Sequence, residues 1–124
     1  MPTYAALIYT DAAQENGEAS SEGDRVMMSE YQQFGEKAGA AGVLLGGEAL
    51  QPTATATTLH VDGGLGGDLV TADGPFAETK EVLGGFYLLS CADLDEAISW
   101  SAQIPGAWRG RVEVRPCIQF ADED

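Results

Sequence analysis

The feature that most constrains this chain is a strand–helix–strand order that occurs twice, once on each side of a predicted β-hairpin. Residues 3–9 form an apolar run rich in β-formers, and the polar segment that follows, to about Glu22, is predicted to be a loop. From Asp24 to a glycine-rich stop at 39–42, apolar side chains recur at helical spacing, and residues 43–50 are again extended. The first half is therefore predicted to be β-α-β.

The hairpin is predicted from a cluster of glycines between two short strands. Strands at residues 56–61 and 68–72 flank the sequence Asp-Gly-Gly-Leu-Gly-Gly at 62–67, and glycine readily adopts the positive φ that a tight hairpin turn needs. A phosphate-binding loop would need GxGxxG or GxxxxGK[ST] between a strand and a helix, and neither pattern occurs. The cluster therefore indicates a turn.

The second half repeats the order of the first. An apolar, aromatic strand is predicted at 82–91, followed by a helix from about Asp93, with Asp93 or Asp95 as its N-cap and Pro105–Gly106 as its stop. Residues 110–118 form the last strand. Two such halves predict the α+β class, a ferredoxin-like split βαβ sheet with helices on one face and an inserted β-hairpin. A sheet whose second face is half apolar commonly covers it with a second copy, so a homodimer is predicted.

The chain is strongly acidic, with 20 Asp and Glu against 6 Lys and Arg and a formal net charge of −14. Nucleic acid and anionic membrane surfaces are bound by clustered Lys and Arg, so neither is expected as a partner. At 124 residues the chain is expected to be a single domain over residues 1–124. Residues 1–10 carry no basic residue, and their apolar run is too short for a signal peptide or transmembrane helix, so a cytoplasmic location is expected.

Metal-binding and redox side chains are few. Cys91 and Cys117 lie far apart without a CxxC pattern, which indicates reduced core thiols, and a disulfide between them is the alternative. His60 is the only histidine. Neither a metal site nor bound haem is therefore expected, and no cofactor is predicted.

One loop carries a family resemblance. Residues 73–81, which read Asp-Gly-Pro-Phe-Ala-Glu-Thr-Lys-Glu, resemble the signature of the YCII-related family that carries the DGPF motif. Segments 41–52, 83–87 and 112–116 resemble its other typical segments. The resemblance implies a dimeric α+β barrel, in a superfamily that includes cofactor-free isomerases and dehydrochlorinases of small aromatic-derived acids, haem proteins and monooxygenases. Most DGPF-type relatives have no assigned function and are often associated with extracytoplasmic-function sigma factors.

Asp73 is the first candidate catalytic residue, because Gly74 and Pro75 would hold it on a rigid turn. Two interpretations stand side by side. Asp73 is a structural Asx-turn residue, with Phe76 anchoring the loop, or its carboxylate is presented at a pocket mouth as a general acid or base. Glu48, in a strand of apolar residues and glycine, is either its partner or an exposed residue at a sheet edge.

His60 is the third catalytic candidate, although a lone histidine near the end of a hairpin strand is more often an exposed polar residue. Lys80 would bind a substrate anion if residues 78–81 begin a helical turn with free N–H groups, and the alternative is that residues 78–81 are a solvated, charged surface. Arg115 alternates opposite the apolar face of the last strand and would clamp a carboxylate or form a surface ion pair.

The other substrate-binding candidates are Gly74, Phe76 and Tyr87. The aromatic residues that line a cavity between helices and sheet, or else belong to the core, are Tyr31, Phe34, Phe76, Phe86 and Tyr87.

These residues support two functional hypotheses. The first is a cofactor-independent general acid/base enzyme, a lyase or isomerase acting on a small carboxylate- or carbonyl-bearing metabolite, with Asp73 as acid or base and Arg115 or Lys80 holding the anion. The second is a non-catalytic ligand-binding or accessory protein, which the family's associations imply would work with a sigma factor or a biosynthetic pathway. A purely structural oligomer is a third reading that leaves the loop unexplained.

Overall fold

The computed structural model describes residues 1–15, 21–77 and 79–120. Within these residues four strands form one sheet and two form a separate ribbon. The strands are β1 (Thr3–Asp11), β2 (Leu44–Ala49), β3 (Thr57–Asp62), β4 (Asp68–Asp73), β5 (Glu81–Ser90) and β6 (Arg111–Pro116). The helices are α1 (Ala12–Glu15), α2 (Ser21–Ala40), α3 (Leu94–Ser101) and α4 (Gly106–Arg109), with a 3₁₀ turn at Thr53–Thr55.

The four-stranded sheet has the order β2-β5-β1-β6, and each neighbouring pair is antiparallel. The central strands β1 and β5 each begin one β-α-β half, β1-α2-β2 and β5-α3-β6. The ribbon β3–β4 is inserted between the two halves. This arrangement confirms the predicted ferredoxin-like fold of the α+β class.

The core lies between α2, α3 and one face of the four-stranded sheet. Ala6 and Leu89 on the central strands, Ala38 of α2, Ala97 of α3 and Ile104 are completely buried. Burial of a Leu or Ile side chain contributes about 1.5–3 kcal/mol, so this layer holds the domain together. The other buried members of the core are Tyr4, Phe34, Val43 and Cys91.

The segment predicted as a loop before α2 contains a short helix, so that prediction is wrong for residues 12–15. The Asp11 carboxylate accepts a hydrogen bond from the Ala13 N–H (2.8 Å), which caps a single turn directly after β1. The helix α2 also begins earlier than predicted, at Ser21. The first turn of α2 is polar, so the spacing of apolar residues does not indicate a helix there. The rest of the predicted loop, residues 16–20, lies outside the described residues.

The helix α3 begins where the sequence predicts and ends earlier. Asp93 is its N-cap, since the Asp93 carboxylate accepts a hydrogen bond from the Glu96 N–H (2.9 Å), and the Glu96 carboxylate accepts one from the Ala92 N–H (2.6 Å). The helix ends at Ser101. The pair Pro105–Gly106, predicted to stop α3, begins α4 instead, because the φ of proline suits a helix start.

The second face of the four-stranded sheet carries a band of apolar side chains. Leu7 pairs with Phe86 and Ala5 pairs with Leu88, and paired residues of antiparallel strands lie on the same face. Successive side chains of a strand point to opposite faces, so these four lie opposite Ala6, which is in the core. We call this surface the open sheet face, because α2 and α3 pack on the other side.

The ribbon β3–β4 pairs along its full length, Thr57–Asp62 against Asp68–Asp73. The predicted glycine turn is confirmed, because Gly63, Gly64 and Gly66 have φ angles of +86°, +80° and +84°. Residues other than glycine rarely adopt these angles, so the hairpin position follows directly from the glycine cluster.

Candidate functional site

A cleft of about 740 Å³ opens between α2, the four-stranded sheet and α4. This volume suits a small metabolite, since ligand pockets range from about 300 to 1,000 Å³. The lining is mostly apolar and includes Ile8 of β1 and Met27 and Met28 of α2. We call it the tyrosine cleft, because Tyr31 and Tyr87 both line it.

Tyr31 enters the tyrosine cleft from α2, and its hydroxyl lies against the start of α4. A Cβ atom built on Gly106 would lie 2.9 Å from the Tyr31 hydroxyl oxygen and 2.5 Å from Cγ2 of Ile8, so glycine is needed there. The Gly106 backbone donates a hydrogen bond to the Tyr31 oxygen. The hydroxyl proton of Tyr31 is therefore available to a ligand, because a hydroxyl both accepts and donates.

Tyr87 projects from β5 beside the edge strand β2. A Cβ atom on Gly47 would lie 2.7 Å from Cδ1 of Tyr87 and would also collide with the Phe86 carbonyl oxygen, so glycine lets the ring approach β2. On its other side the ring packs on Phe34, with ring centroids 5.0 Å apart. The strand register also shifts just before Gly46. The two glycines of β2 therefore mark both a bulge and a close approach of the Tyr87 ring.

Burial raises the pKa of both cleft phenols above the usual value for tyrosine. For Tyr31 the hydrogen bond from Gly106 and the positive charge of Arg109 partly oppose this rise in pKa. For Tyr87 the neighbouring Tyr31 adds to the effect of burial on the pKa. Both phenols therefore keep their protons at neutral pH and act as hydrogen-bond or proton donors.

Arg109 of α4 also lines the tyrosine cleft and forms an ion pair with Glu30 of α2. The Nη1 and Oε1 atoms are 2.5 Å apart, and the side chains are 41 % and 26 % exposed. A guanidinium has five N–H donors, more than one carboxylate oxygen can accept. Arg109 can therefore bind a ligand carboxylate or carbonyl while it stays paired with Glu30.

The turn after β4 does not form the predicted Asx-turn. Pro75 stands two residues after Asp73 and has no N–H to donate, and none of the described residues donates a hydrogen bond to the exposed Asp73 carboxylate. The turn is made by Gly74, whose φ is +96°. Its N–H donates to the Ala56 carbonyl oxygen (2.7 Å), and its own carbonyl oxygen accepts a hydrogen bond from the Thr58 hydroxyl (2.8 Å).

Phe76 is 91 % exposed, so the prediction that it anchors the loop is wrong. A second cleft of about 430 Å³ lies beside the loop, and Pro75 and Ala77 belong to its lining. Neither Phe76 nor Asp73 lines this cleft or the tyrosine cleft. Hydrogen bonds hold the loop at Gly74, but the side chains of Asp73 and Phe76 are exposed to solvent.

The helical turn predicted over 78–81 is absent from residues 79–81, and Glu78 lies outside the described residues. Glu81 is the first residue of β5, and the Lys80 carbonyl oxygen accepts a hydrogen bond from the Ala12 N–H (2.7 Å). Lys80 is exposed and lies outside the lining of the tyrosine cleft. No helix start is therefore present at Lys80 to favour an anion.

Glu48 is exposed on β2 and borders the tyrosine cleft. The register pairs Glu48 with Phe86, and Gly47 with Tyr87. Successive side chains point to opposite faces, so the Glu48 side chain leaves β2 from the open sheet face and reaches the cleft at the free edge of the strand. Among the predicted site residues, Glu48 and Tyr87 are the two that the structure brings to this cleft.

The remaining predicted site residues lie elsewhere. His60 is exposed on the ribbon and contacts Asp62, with 3.0 Å between Nε2 and Oδ1. Strand pairing places His60 and Asp73 on opposite faces of the ribbon. Arg115 forms an ion pair with Glu113 (Nε–Oε2, 2.6 Å), and both side chains are exposed. The structure does not bring Asp73, Glu48 and His60 together, and their catalytic roles stay predictions.

The described residues offer no site for a metal ion made of three or more His, Cys, Asp or Glu side chains. Cys91 and Cys117 are free thiols, so the predicted disulfide alternative is wrong. Cys91 lies in the core as predicted, whereas Cys117 is only partly buried and lies outside it. Burial raises the pKa of Cys91, so its thiol stays protonated. In the same part of the chain no helix is long and apolar enough to cross a membrane.

Comparison with known proteins identifies the family of this chain. The profile of the YCII-related domain matches residues 3–121. The chain belongs to the YCII-related family. An uncharacterized protein of Rhizobium meliloti (strain 1021) is 40 % identical to it over 121 residues, which cover 94 % of this chain and 93 % of that protein. The resemblance seen in the sequence is therefore confirmed over nearly the whole chain.

Arg109 and Met28 are among the lining residues of the YCII-related domain that the sequence did not indicate as site residues. Arg109 follows a Pro-Gly pair that predicts a helix stop, and Met28 lies in the predicted first helix without being a candidate site residue. Tyr31 is one of the aromatics predicted to line a cavity or fill the core, and it lines the cleft. The signal for this site is Gly106, since a glycine after proline at a helix start permits close contact with another element.

Proposed function

We propose that this YCII-related protein binds a small, largely apolar molecule with a carbonyl or carboxylate group in the tyrosine cleft. The observation that carries the proposal is the presence of two protonated phenols, Tyr31 and Tyr87, and the Arg109 guanidinium in one mostly apolar cleft. A few polar groups in an apolar pocket fix the orientation of a ligand. Hydroxyl and guanidinium donors both complement a carbonyl or carboxylate oxygen.

The rim of the cleft supports the apolar character of the ligand. Met27 is 39 % exposed and Met28 is 71 % exposed, although both line the cleft. Methionine is flexible and polarizable, and it packs well on aromatic rings and irregular apolar surfaces. A bound apolar ligand would cover these side chains and gain about 25 cal/mol for each Å² of apolar surface removed from water.

A cofactor-independent lyase or isomerase that moves a proton on such a ligand is the second candidate. The observation that favours it is Tyr31, whose oxygen accepts a hydrogen bond from Gly106 while its proton stays available. A donor held in this way stabilises the negative oxygen that forms when a proton is removed beside a carbonyl group. Glu48 would be the base, because it is the carboxylate that borders the cleft among the described residues.

Ligand binding is tested first by thermal shift with small aromatic and aliphatic carboxylic acids and ketones, followed by titration calorimetry. We expect at least one compound to raise the Tm of the wild type. Tyr87→Phe and Tyr31→Phe should each weaken its binding about fivefold, since one hydrogen bond contributes about 1 kcal/mol. His60→Gln, outside the cleft, is the matched control. Unchanged affinity in both Phe variants and in Arg109→Gln would refute the proposal.

Proton transfer is tested on any ligand found in this way. In D₂O, a lyase or isomerase of this type exchanges the proton next to the carbonyl of its ligand, and NMR follows the exchange. Glu48→Gln should abolish the exchange and preserve binding, whereas Tyr31→Phe should slow it by roughly 10²-fold or more, as loss of an oxyanion donor does. If the ligand binds but its proton does not exchange, the result would support the binding function and contradict the enzymatic one.

We also propose that the protein is a homodimer in the cytoplasm that covers its open sheet face with a second copy. Apolar residues on both central strands support the dimer, among them Leu7, Phe86 and Leu88. The free thiols Cys91 and Cys117 support a reducing compartment. Sedimentation velocity tests the dimer: a monomer at micromolar concentration would contradict it.

A further inference from the structure

The positive charge of Arg109 in the tyrosine cleft is already compensated by a carboxylate of the protein. Its Nη1 atom lies 2.5 Å from the Glu30 Oε1 atom, and that oxygen is buried. Glu30 precedes Tyr31 on α2, and Arg109 ends the α4 turn that begins at Gly106. The Tyr31–Gly106 contact and the Glu30–Arg109 ion pair therefore join the same two elements side by side, which holds the ion pair in place.

Both charges of the ion pair act on the Tyr31 phenol. Burial is the main cause of the raised pKa of Tyr31. The hydrogen bond from Gly106 and the positive charge of Arg109 lower that pKa, whereas the negative charge of Glu30 raises it. A ligand oxygen bound at the Tyr31 hydroxyl would also lie within reach of both charges, because Coulomb interactions act over several Å. The ligand therefore meets an ion pair and not an isolated cation.

The rest of the cleft adds no positive charge. Among the described residues that line it, Arg109 is the one basic residue, and Arg25 and Lys37 of α2 lie outside the lining. Glu48, which borders the cleft, makes no ion pair with the part of the chain that the structure describes. One cation therefore stands against two carboxylates, Glu30 and Glu48, in a chain of net charge −14. The other polar side chains of the lining are Tyr9, Thr10, Tyr31, Gln32 and Tyr87.

A carboxylate ligand would have to share Arg109 with Glu30 or displace Glu30 from it. Sharing brings two anions to one cation, and the two anions repel each other. Displacement leaves the Glu30 carboxylate, which has a buried oxygen, without its partner, and an unpaired carboxylate away from water is costly. The ligand would also lose the hydration of its own charge in a mostly apolar cleft. The ion pair therefore disfavours a carboxylate.

A neutral carbonyl oxygen avoids these costs. The guanidinium of Arg109 has more N–H groups than the Glu30 oxygen can accept, and the phenols of Tyr31 and Tyr87 stay protonated. All three side chains can therefore donate to a ligand oxygen without separating the ion pair. An ammonium ligand fits this donor set poorly, because it offers no acceptor and is repelled by Arg109.

We infer that Glu30 determines specificity: by pairing with Arg109 it restricts the tyrosine cleft to neutral carbonyl compounds (ketones, aldehydes, amides and esters) and rejects carboxylates of the same skeleton. The inference rests on the ligand-binding function proposed above and narrows its ligand class. Glu30 acts through Arg109, so it is a positioning residue. The inference is independent of whether the bound compound is turned over.

The first test compares ligands that share a skeleton and differ in charge. One series is benzylacetone, hydrocinnamamide, hydrocinnamate and phenylpropylamine, and a second is heptyl methyl ketone, octanamide, octanoate and octylamine. In titration calorimetry at neutral pH, the ketone or amide of a series should bind the wild type at least about tenfold more tightly than the carboxylate or the amine. A carboxylate or amine that binds as tightly as the amide would overturn the inference and leave the binding function standing.

The second test removes the charge of Glu30 and keeps its shape. Glu30→Gln should raise the affinity for the carboxylate, relative to the amide, at least about fivefold, because the nearest anion is gone. Glu36→Gln is the matched control: it makes the same charge change at an exposed position of α2 outside the cleft lining, and it should change this ratio less than about twofold. Arg109→Gln leaves Glu30 uncompensated and should shift the ratio in the opposite direction.

The ratio of the two affinities separates specificity from folding. A packing defect in Glu30→Gln would weaken the carboxylate and the amide alike, and the comparison on the wild type needs no variant. Equal ratios in Glu30→Gln and Glu36→Gln would overturn the inference, because the preference would then come from the net charge of the chain. If none of the compounds binds the wild type, the ligand-binding function and this inference are refuted together.

Discussion

The hydroxyl oxygen of Tyr31 occupies the space that a side chain at Gly106 would need, because a Cβ atom there would lie 2.9 Å from it. This contact joins α2 to the start of α4 and sets the shape of the tyrosine cleft on that side. The position of the Tyr31 phenol thus depends on a glycine that lies 75 residues later in the chain.

Gly106→Ala should therefore disturb both packing and binding. An added methyl group forces Ile8 or Tyr31 to move, and overpacking of this kind costs about 1–3 kcal/mol of unfolding free energy. Chemical denaturation measures that cost. Gly39→Ala on α2 is the control, since a Cβ there meets nothing within 4 Å and alanine favours helix. Equal stability of the two variants would show that the Tyr31 contact is not tight.

Stability should fall at alkaline pH because of the cleft phenols. Their pKa is raised by burial, so the folded state binds more protons than the unfolded state once the pH exceeds the usual tyrosine pKa of about 10. The stabilisation is complete below that pH and is lost as the pH rises through the raised pKa. The double variant Tyr31→Phe, Tyr87→Phe should show a shallower loss of unfolding free energy between pH 9 and 11, measured by urea titration. An identical pH profile would contradict this assignment.

Asp73→Asn distinguishes the two interpretations of the family loop. The Asp73 carboxylate is exposed and accepts no hydrogen bond from the described residues, so the change should alter unfolding free energy by less than about 0.5 kcal/mol. Gly74→Ala should cost more, because Gly74 has a φ of +96°. Melting curves of both variants test this. A large fall in Tm for Asp73→Asn would restore the structural role, whereas lost turnover at unchanged Tm would establish a catalytic one.

Asp93→Ala should destabilise the protein by about 1 kcal/mol, because it removes the side-chain cap of α3. The neighbouring acid Asp95 lies in the first turn and makes no capping bond, so Asp95→Ala should have a much smaller effect. Thermal or urea unfolding of the pair gives the difference directly. If Asp95→Ala is the more damaging change, the helix begins at another residue in solution.

The fold could be predicted because its signals are local. Strand composition, helical spacing and a glycine turn between Asp62 and Asp68 each act over a few residues, and their order leaves few sheet topologies. The errors have local causes as well. The turn capped by Asp11 is too short for apolar periodicity, and the Pro105–Gly106 pair is compatible with both a helix end and a helix start.

The site was harder to predict because its groups come from distant parts of the chain. A loop such as Asp73–Pro75 attracts attention by its unusual sequence, yet its carboxylate faces solvent. Tyr31 and Tyr87 look like ordinary core aromatics at helical and strand spacing, and only their shared cleft distinguishes them. A cavity forms where packed elements leave space between them. The spacing of residues along the chain does not predict where that space lies.

The sequence by itself determined the order of the six strands and of the helices α2 and α3, the hairpin turn, the family and the acidic character of the chain. Backbone propensity, glycine conformations and net charge belong to residues one at a time or to short segments. Only the tertiary structure decided that Gly47 and Gly106 make room for Tyr87 and Tyr31, and that Arg109 joins them. Contacts between residues far apart in sequence depend on how the helices lie on the sheet, and packing geometry alone sets that.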